Sequence, residues 1–352
     1  MAICEQVENP KLAKGIVKRE VVEVLSPGTA ISERYLEQNE NNYLCAVVLE
    51  NHKCGIAVLD YSTGEFQTCS RKQSELLSLI KQFHVSEVII PEDQEKDLSK
   101  LLQGEVIFMT QIPDWCRTFD SAHETLTSFF NVSTLKGYGI EEDKLAVSSA
   151  GCALYYVNKN FNGRIQHITS LSLLQKEGIM GLDAFTIRNL ELFKSLSSQG
   201  IHGTLVGTID KTLTAAGSRL LKNWIRQPLT DPKKINERLD RITEFITNEN
   251  MLKNIQDHLK ETADIERIIA RIASGKASPR DVVNLGMSLE KIPLVKNAIH
   301  NRNKVLKQLL IRCENTDEIT TSILNNVKSD PPSTIKKGGY IRAGVSMELD
   351  EL

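Results

Sequence analysis

The chain has 352 residues, 41% of them hydrophobic and 25% charged, which is an ordinary composition for a globular protein of two or three domains. No apolar run approaches the roughly 20 residues of a transmembrane helix, and the acidic start MAICEQVENP is unlike a signal peptide, so we expect a cytoplasmic protein with no membrane partner. The net charge of −2 conceals an asymmetry: residues 1–165 hold 16 Lys+Arg against 23 Asp+Glu, and the modestly basic remainder lacks the stripe of a dedicated DNA-binding domain.

The first segment, residues 1–29, contains a short apolar run at residues 2–4 and a charged stretch after Gly15. No partner is evident for the apolar run, so we expect this segment to be poorly ordered or loosely docked. The sequence SPGT at residues 26–29 is a turn signal, and the polar residues 34–42 are typical of a linker.

From residue 43 the pattern changes to that of strands. Hairpin strands come first and alternating helices and strands follow, which predicts one α/β sheet with helices on its faces over residues 30–165. The predicted strands are residues 43–50, 54–62, 65–69, 85–91 and 105–109, and the predicted helices are residues 72–83, 96–102, 121–130 and 143–158.

Beyond a domain boundary near Gln166, almost every segment is predicted to be helical. Thr214 can cap a helix that Pro228 ends, and Asp231 followed by Pro232 opens the next helix with an N-cap and an N1 proline. The other predicted helices are residues 183–197, 251–259, 264–274, 279–289, 304–312 and 317–327. Two prolines at residues 331–332 end the helices, residues 333–345 cannot form regular helix, and residues 346–352 begin another.

The helical period predicts which faces of these helices are buried. After Thr214 it places apolar residues inward and three basic residues, Arg219, Lys222 and Arg226, on a solvated face. The predicted inward residues of this helix are Leu220, Leu221, Trp224 and Ile225. In the helix after Asp231 they are Ile235, Leu239, Ile242 and Ile246, opposite Lys234, Arg238 and Arg241. In the helix after Asp264 they are Ile265, Ile268, Ile269 and Ile272, opposite Arg267 and Arg271.

Motifs for cofactors are missing. The best P-loop candidate, Gly275 and Lys276, has Ala277 where Ser or Thr is required and Ala270 where the first glycine belongs. The histidines lack HxxxH spacing and the seven cysteines lack a CxxC pair, which favours reduced, mostly buried thiols over a zinc site. We therefore expect no ATP hydrolysis, no bound metal and no cofactor in this chain.

Four successive motifs carry a resemblance to a known family: DAFTIRNLEL from residue 183, GTLVGTIDKT from residue 203, AGSRLLKNWIRQPLTDP from residue 216 and INERLD from residue 235. Their order and spacing resemble the start of the lever, or core, domain of the MutS family of DNA mismatch repair proteins. Residues 2–29 resemble the close of that family's mismatch-binding domain, and IRAGVSMELDEL from residue 341 resembles the start of its clamp.

The resemblance implies a fragment of a larger protein. Residues 1–29 would be the remnant of the mismatch-binding domain, residues 30–165 a ribonuclease H-like connector domain with a mixed sheet, residues 166–345 the first part of an all-α lever domain, and residues 346–352 the truncated first helix of the clamp. The intact protein would bind mismatched double-stranded DNA, ATP with Mg²⁺, MutL and a second MutS subunit. The family's Phe-x-Glu mismatch probe is missing, because none of the ten phenylalanines precedes a Glu by two positions. The chain itself is therefore expected to relay between these sites and not to be an enzyme.

Two other functions stay open. A ribonuclease H-like domain could be a metal-dependent nuclease, but Asp60, Glu65, Glu87 and Asp93 are more simply explained as polar residues that face solvent. The chain could also be an unrelated helical scaffold. The candidate contact residues are Lys336 and Lys337 for DNA phosphate, and Phe129 and Phe130 for docking of a partner if one ring is exposed.

Overall fold

A computed structural model describes residues 2–6, 17–33, 35–102, 104–174, 178–198, 200–300, 304–311 and 313–351. The chain forms two compact units. The first, which we call the sheet unit, consists of residues 1–177 and 181–208, and the second, the helical unit, consists of residues 178–180 and 209–352. Within the described ranges, no helix is long and apolar enough to cross a membrane.

The sheet unit contains a two-stranded and a six-stranded sheet. The strands are β1 (Ala2–Gln6), β2 (Arg19–Val24), β3 (Leu44–Glu50), β4 (Lys53–Asp60), β5 (Glu65–Lys72), β6 (Glu87–Pro91), β7 (Phe108–Ile112) and β8 (Ser172–Leu173). The large sheet has the order β7-β6-β3-β4-β5-β8, with antiparallel hairpins β3-β4-β5 and parallel pairs β3-β6, β6-β7 and β5-β8. The prediction of one α/β sheet that begins with hairpins is confirmed in this mixed topology.

Helices cover both faces of the large sheet. They are α1 (Gln73–Gln82), α2 (Glu95–Leu101), α3 (Phe119–Phe130) and α4 (Lys144–Asn160). Two short helices, α5 (Ala184–Asn189) and α6 (Leu205–Ile209), come later in the chain. Leu76 and Ile80 of α1 pack with Leu98 of α2 against strand residues such as Val47 and Ile56. On the opposite face α4 packs on β3, β4 and β5. Its approach is so close that a Cβ at Gly55 would lie 2.0 Å from the carbonyl oxygen of Leu145.

The first apolar run of the chain has a strand partner. β1 pairs antiparallel with β2, with Ala2 opposite Val24 and Gln6 opposite Arg19. The expectation that residues 2–4 lack a partner is therefore wrong. The charged sequence REVVEV contains three valines, and β-branched residues favour a strand. The loop that joins the two strands, including Gly15, lies outside the described residues, as does Arg34 at the start of the predicted linker.

The helical unit consists of α7 (Ala215–Arg226), α8 (Pro232–Thr247), α9 (Glu249–Lys260), α10 (Ile265–Ala273), α11 (Pro279–His300), α12 (Lys304–Leu310), α13 (Asp317–Asn326) and α14 (Met347–Asp350). Two apolar clusters hold it together. Met251, Ile255, Ile299 and Leu306 join α9, α11 and α12, whereas Ile268, Leu285 and Leu289 join α10 to α11. The predicted caps are confirmed: Thr214 accepts the amide of Gly217 at 3.1 Å, and Asp231 accepts that of Lys233 at 2.9 Å.

Two helices differ from the prediction by more than three residues at one end. The helix predicted at residues 183–197 ends at Asn189, because Glu191 adopts a left-handed conformation with φ of 46° and its carboxylate accepts the amide of Leu196. The helix that begins at Pro279 continues past Leu289 to His300 and passes through Pro293. Its packing against α9 and α13 offsets the hydrogen bond that Pro293 cannot make. Arg312, the predicted end of α12, lies outside the described residues.

Candidate functional site

Asp60 at the end of β4 is a carboxylate inside the sheet unit and is fully buried. Its Oδ1 accepts the amide and hydroxyl of Ser62 at 2.8 and 2.7 Å, and its Oδ2 accepts the side-chain amide of Asn41 at 2.9 Å and the backbone amide of Asn42 at 3.2 Å. The prediction that Asp60 faces solvent is wrong, because these donors replace water around the carboxylate.

Glu87, which begins β6, is also fully buried, so the same prediction is wrong for it. Oε1 accepts the hydroxyls of Thr110 at 2.6 Å and Tyr156 at 2.7 Å. Oε2 accepts the backbone amide of Gly28 at 3.0 Å and the hydroxyl of Ser26. Burial raises the pKa of Tyr156 to about 12, so its phenol keeps the proton that it donates. The sequence contained only one signal of this site, the SPGT turn.

The other two carboxylates are more accessible. Glu65 is half-buried and accepts the hydroxyl of Tyr43 at 2.8 Å. Asp93 is exposed, as predicted, and pairs with Arg117 at 2.7 Å.

Chemically, these acids differ from the metal ligands of a nuclease. Such ligands need oxygens that are free to bind the ion, whereas each oxygen of Asp60 and Glu87 already accepts hydrogen bonds from the protein. Throughout the described part of the chain, no group of three or more His, Cys, Asp or Glu side chains could hold a metal ion. The arrangement suits structural anchoring of chain segments at one end of the interior strands β4 and β6.

Helix α7 turns its basic side chains inward. Arg219, Lys222 and Arg226 are 3%, 3% and 1% exposed, whereas Leu220 is 51% and Trp224 38% exposed. The predicted orientation is therefore wrong for the three basic residues and for Leu220 and Trp224, whereas Leu221 and Ile225 are half-buried. Helical period fixes which residues share a face but not which face meets neighbouring elements, and for Arg219 a carboxylate partner decides.

The main carboxylate partner of Arg219 also caps a helix. Arg219 donates to both oxygens of Asp264 at 2.7 and 2.8 Å and also pairs with Glu266. Asp264 is the N-cap of α10 and accepts the amide of Arg267. The side chains of Arg219 and Asp264 are 3% and 18% exposed. Burial alone would raise the pKa of Asp264, but the hydrogen bonds and charge of Arg219 outweigh it and lower the pKa.

A second pair repeats this geometry between α10 and α11. Arg271, 7% exposed, donates to Asp281 at 2.5 Å, and Asp281 accepts the amide and hydroxyl of Ser278 in the capping box that begins α11. The pKa of Asp281 is lowered by Arg271 and Ser278, although burial acts in the opposite direction. Buried arginines thus link α7 to α10 and α10 to α11.

The apolar stripe of α8 is exposed, so its predicted orientation is wrong. In α10 the prediction holds for Ile268, which is buried, and for Ile265, which packs against it, but not for the other two isoleucines. The exposed residues are Ile235, Leu239, Ile242 and Ile246 of α8 and Ile269 and Ile272 of α10, whereas Ile268 is buried. Arg267 is 2% exposed, and Arg238 stacks on Trp224 with its guanidinium carbon 3.9 Å from the ring centroid.

The residues predicted to contact partners are exposed or half-buried. Lys336 and Lys337 are exposed on a 3₁₀ turn that Gly338 ends. Phe129 and Phe130 are half-buried at the end of α3 and pack edge to face with centroids 5.0 Å apart, and Phe130 also contacts Tyr138. Both roles stay predictions.

Burial favours the neutral form of the thiols and of one histidine in the sheet unit. Burial raises the pKa of five thiols, those of Cys69 and Cys116 to about 11 and that of Cys54 to about 12, and the same holds in direction for Cys45 and Cys152. Burial also lowers the pKa of His167, whose Nε2 lies 2.7 Å from the carbonyl oxygen of Tyr61. Neutral thiols of this kind are poor nucleophiles and poor metal ligands.

A cleft of about 830 Å³ lies in the sheet unit between α1 and the segment around α5. Its walls are apolar at Ile80, Ile107 and Phe193, and Lys81 pairs with Glu105 at its rim. The rim charges are mixed and do not define a ligand class.

Known protein families and curated relatives both match this chain. Family models for MutS domain I, MutS domain II and MutS domain III match residues 1–34, 42–169 and 185–351, in that order. Among curated relatives, DNA mismatch repair protein MutS of Flavobacterium johnsoniae is 38% identical over 353 aligned positions, and the proteins of the same name from Christiangramia forsetii and Phocaeicola vulgatus are 37% and 38% identical. Each match covers all of this chain and 40% of the relative, so the chain spans about two fifths of the length of these proteins.

A mixed sheet unit followed by a helical unit, matched by successive domains of one family, defines a multidomain protein of the DNA mismatch repair class. The chain belongs to the MutS family and carries its domains I, II and III.

Proposed function

We propose that the chain supplies the connector and lever of a MutS-family protein and relays orientation between the parts that hold DNA, hydrolyse ATP and meet MutL. The order of the three family domains along the chain carries this proposal. In it, residues 1–29 end the mismatch-binding domain, residues 30–165 form a ribonuclease H-like connector domain, residues 166–345 begin the lever, and residues 346–352 begin the clamp.

The buried ion pairs of the helical unit support this role. A relay needs helices whose relative angles resist bending. The pair Arg219–Asp264 ties α7 to the start of α10, and the pair Arg271–Asp281 ties α10 to the start of α11. The bidentate contact of Arg219 fixes distance and direction together, so these helices should move as one body.

The cofactors and partners of the proposal belong to the intact protein. They are ATP with Mg²⁺, mismatched double-stranded DNA, MutL and a second MutS subunit, and the protein would act in the cytoplasm. This chain has neither GxxxxGK[ST] nor Phe-x-Glu, so we propose that it is not itself an enzyme and does not select mismatches.

Incubation of the purified chain with duplex DNA and ATP tests the proposal. We expect no ATP hydrolysis and equal affinity for a matched duplex and one with a single mismatch. A measurable preference for the mismatch would contradict the relay role, and cleavage that requires Mg²⁺ or Mn²⁺ would support the nuclease alternative.

Lys336 and Lys337 are proposed to contact phosphate, which makes their contribution sequence-blind and sensitive to salt. Replacing both with Ala should weaken the residual affinity for matched and mismatched duplex equally and reduce the salt slope by about 2. The matched control is Lys233→Ala with Lys234→Ala, another exposed adjacent pair, which should leave the slope unchanged.

Phe129 and Phe130 are the proposed docking residues for a protein partner such as MutL. The variant Phe129→Ala should then weaken that association without loss of the fold. Equal binding by the variant would remove the pair from the proposal.

A further inference from the structure

The turn at residues 26–29 is attached to the large sheet through one carboxylate. Ser26, at the N-cap of the turn, and Gly28, inside it, both donate to Glu87 Oε2. The turn also closes on itself, since the amide of Ser26 donates to the hydroxyl of Thr29 at 3.0 Å. Thr29 is fully buried, so this short segment is docked rather than merely adjacent.

The opposite side of the carboxylate is held by the body of the sheet unit. Thr110 of β7 and Tyr156 of α4 both donate to Oε1. An ionised carboxylate offers about four acceptor positions, so Glu87 is saturated by these two donors and the two donors of the turn. With the turn in place Glu87 is fully buried, and these four donors take the place of water around its carboxylate. Release of the turn therefore costs the two hydrogen bonds to Oε2.

The packing around Gly28 leaves no room for a side chain at this position. A Cβ at this position would lie 2.8 Å from the Cβ atoms of both Glu87 and Leu44. The amide of Gly28 thus reaches Glu87 only because the residue has no side chain. A separate hydrogen bond of 2.8 Å from the side chain of Asn42 to the carbonyl oxygen of Pro27 ties down the exposed side of the turn.

The turn at residues 26–29 lies near the junction of two family domains. Strand β2 ends at Val24, two residues before Ser26, and the match to MutS domain I ends at residue 34, whereas the match to domain II begins at residue 42. The attachment therefore lies where the chain passes from one family domain into the next.

We propose that Glu87, with Tyr156 and Thr110 behind it, is a latch that locks the turn at residues 26–29 onto the sheet and so couples the domain I segment to domain II. The latch has two states. In the closed state the segment before residue 26 moves with the sheet, and in the open state it moves independently. This inference concerns the link itself and does not rest on the proposed function.

The test is hydrogen exchange of the full chain, measured by mass spectrometry on peptides that cover residues 25–33 and, for comparison, residues 44–60. The main variant is Gly28→Ala, which keeps every side chain of the latch but displaces the turn. The matched control is Gly137→Ala, because nothing lies within 4 Å of a Cβ at Gly137. A second variant, Tyr156→Phe, removes one donor to Glu87 and leaves the aromatic ring in place.

The latch predicts selective loosening. Exchange in residues 25–33 should rise about tenfold or more in Gly28→Ala and less in Tyr156→Phe, while the Gly137→Ala control keeps wild-type rates. Residues 44–60, of which only Leu44 meets the new Cβ, should change by less than about twofold. If Gly28→Ala does not fold, Tyr156→Phe decides the question. Exchange in residues 25–33 that stays within about twofold of wild type, or that rises no more than in the sheet peptides, would overturn the proposal.

Discussion

The pair of Arg219 and Asp264 gives the sharpest test of how the helical unit holds its shape. The side chains are 3% and 18% exposed and share two hydrogen bonds of 2.7 and 2.8 Å. Removing one partner of such a buried pair leaves an uncompensated charge, which costs about 3 to 5 kcal/mol. We therefore expect Arg219→Met to lower the free energy of unfolding of the helical unit by about 3 kcal/mol.

A double-mutant cycle isolates the pair from the other contacts of Arg219. The second variant is Asp264→Asn, because Asn caps helices about as well as Asp and the change removes the charge but not the cap. We expect a coupling energy of about 2 kcal/mol. The matched control is the exposed pair Arg280–Asp330, at 3.6 Å with side chains 57% and 93% exposed, for which the coupling should stay below about 0.5 kcal/mol.

The assay is urea unfolding at constant pH, followed by tryptophan fluorescence. The chain has two tryptophans, Trp115 in the sheet unit and Trp224 in the helical unit, so a Trp115→Phe background reports the helical unit alone. A coupling energy for Arg219–Asp264 no larger than that of the exposed control would refute the reasoning, and the inward face of α7 would then need another cause.

Three further predictions follow from burial. Leu220→Ser should change the stability of the helical unit by no more than about 0.5 kcal/mol in urea unfolding, since Leu220 is 51% exposed, whereas a loss above about 2 kcal/mol would mean that Leu220 is core. The depressed pKa of His167 means that the folded sheet unit disfavours its protonation. The contribution of His167 to the free energy of unfolding should therefore be constant above about pH 6.5 and fall as the pH decreases below it. Urea midpoints of His167→Gln should show a smaller difference between pH 7.5 and pH 5 than those of wild type, and equal differences would contradict this assignment. Of the seven thiols, only the exposed Cys4 and Cys313 should react rapidly with a thiol reagent in the native state, and rapid reaction of a third would show that a buried thiol is accessible.

Local signals predicted much of this fold. Strands β3 and β4 follow from short continuous apolar runs separated by turn residues. The ends of α7 and α8 follow from Thr214, Pro228 and Asp231, because caps and prolines act within one turn of the backbone. The end of α5 could not be predicted in this way, because Glu191 takes a left-handed conformation that its side chain stabilises through a residue five positions later.

The direction of side chains is harder to predict, because it depends on long-range pairing. Nothing in the sequence near Arg219 indicates that its partner is Asp264, 45 residues later, and helical period alone therefore predicts a solvated arginine. Glu87 is a similar case, since its donors come from positions as distant as Ser26 and Tyr156. Period and propensity describe one element at a time, whereas these contacts exist only once several elements have met.

Binding of MutL is the most direct test of the central claim, which is that this chain relays orientation to a protein partner. The purified chain, immobilised and titrated with MutL of the source organism, should bind reversibly. The affinity should fall as salt rises, because residues 1–165 are acidic, with 16 Lys+Arg against 23 Asp+Glu. Association with MutL that weakens with salt is the result we predict, and the absence of binding at low salt by a chain whose two units are folded would contradict the account.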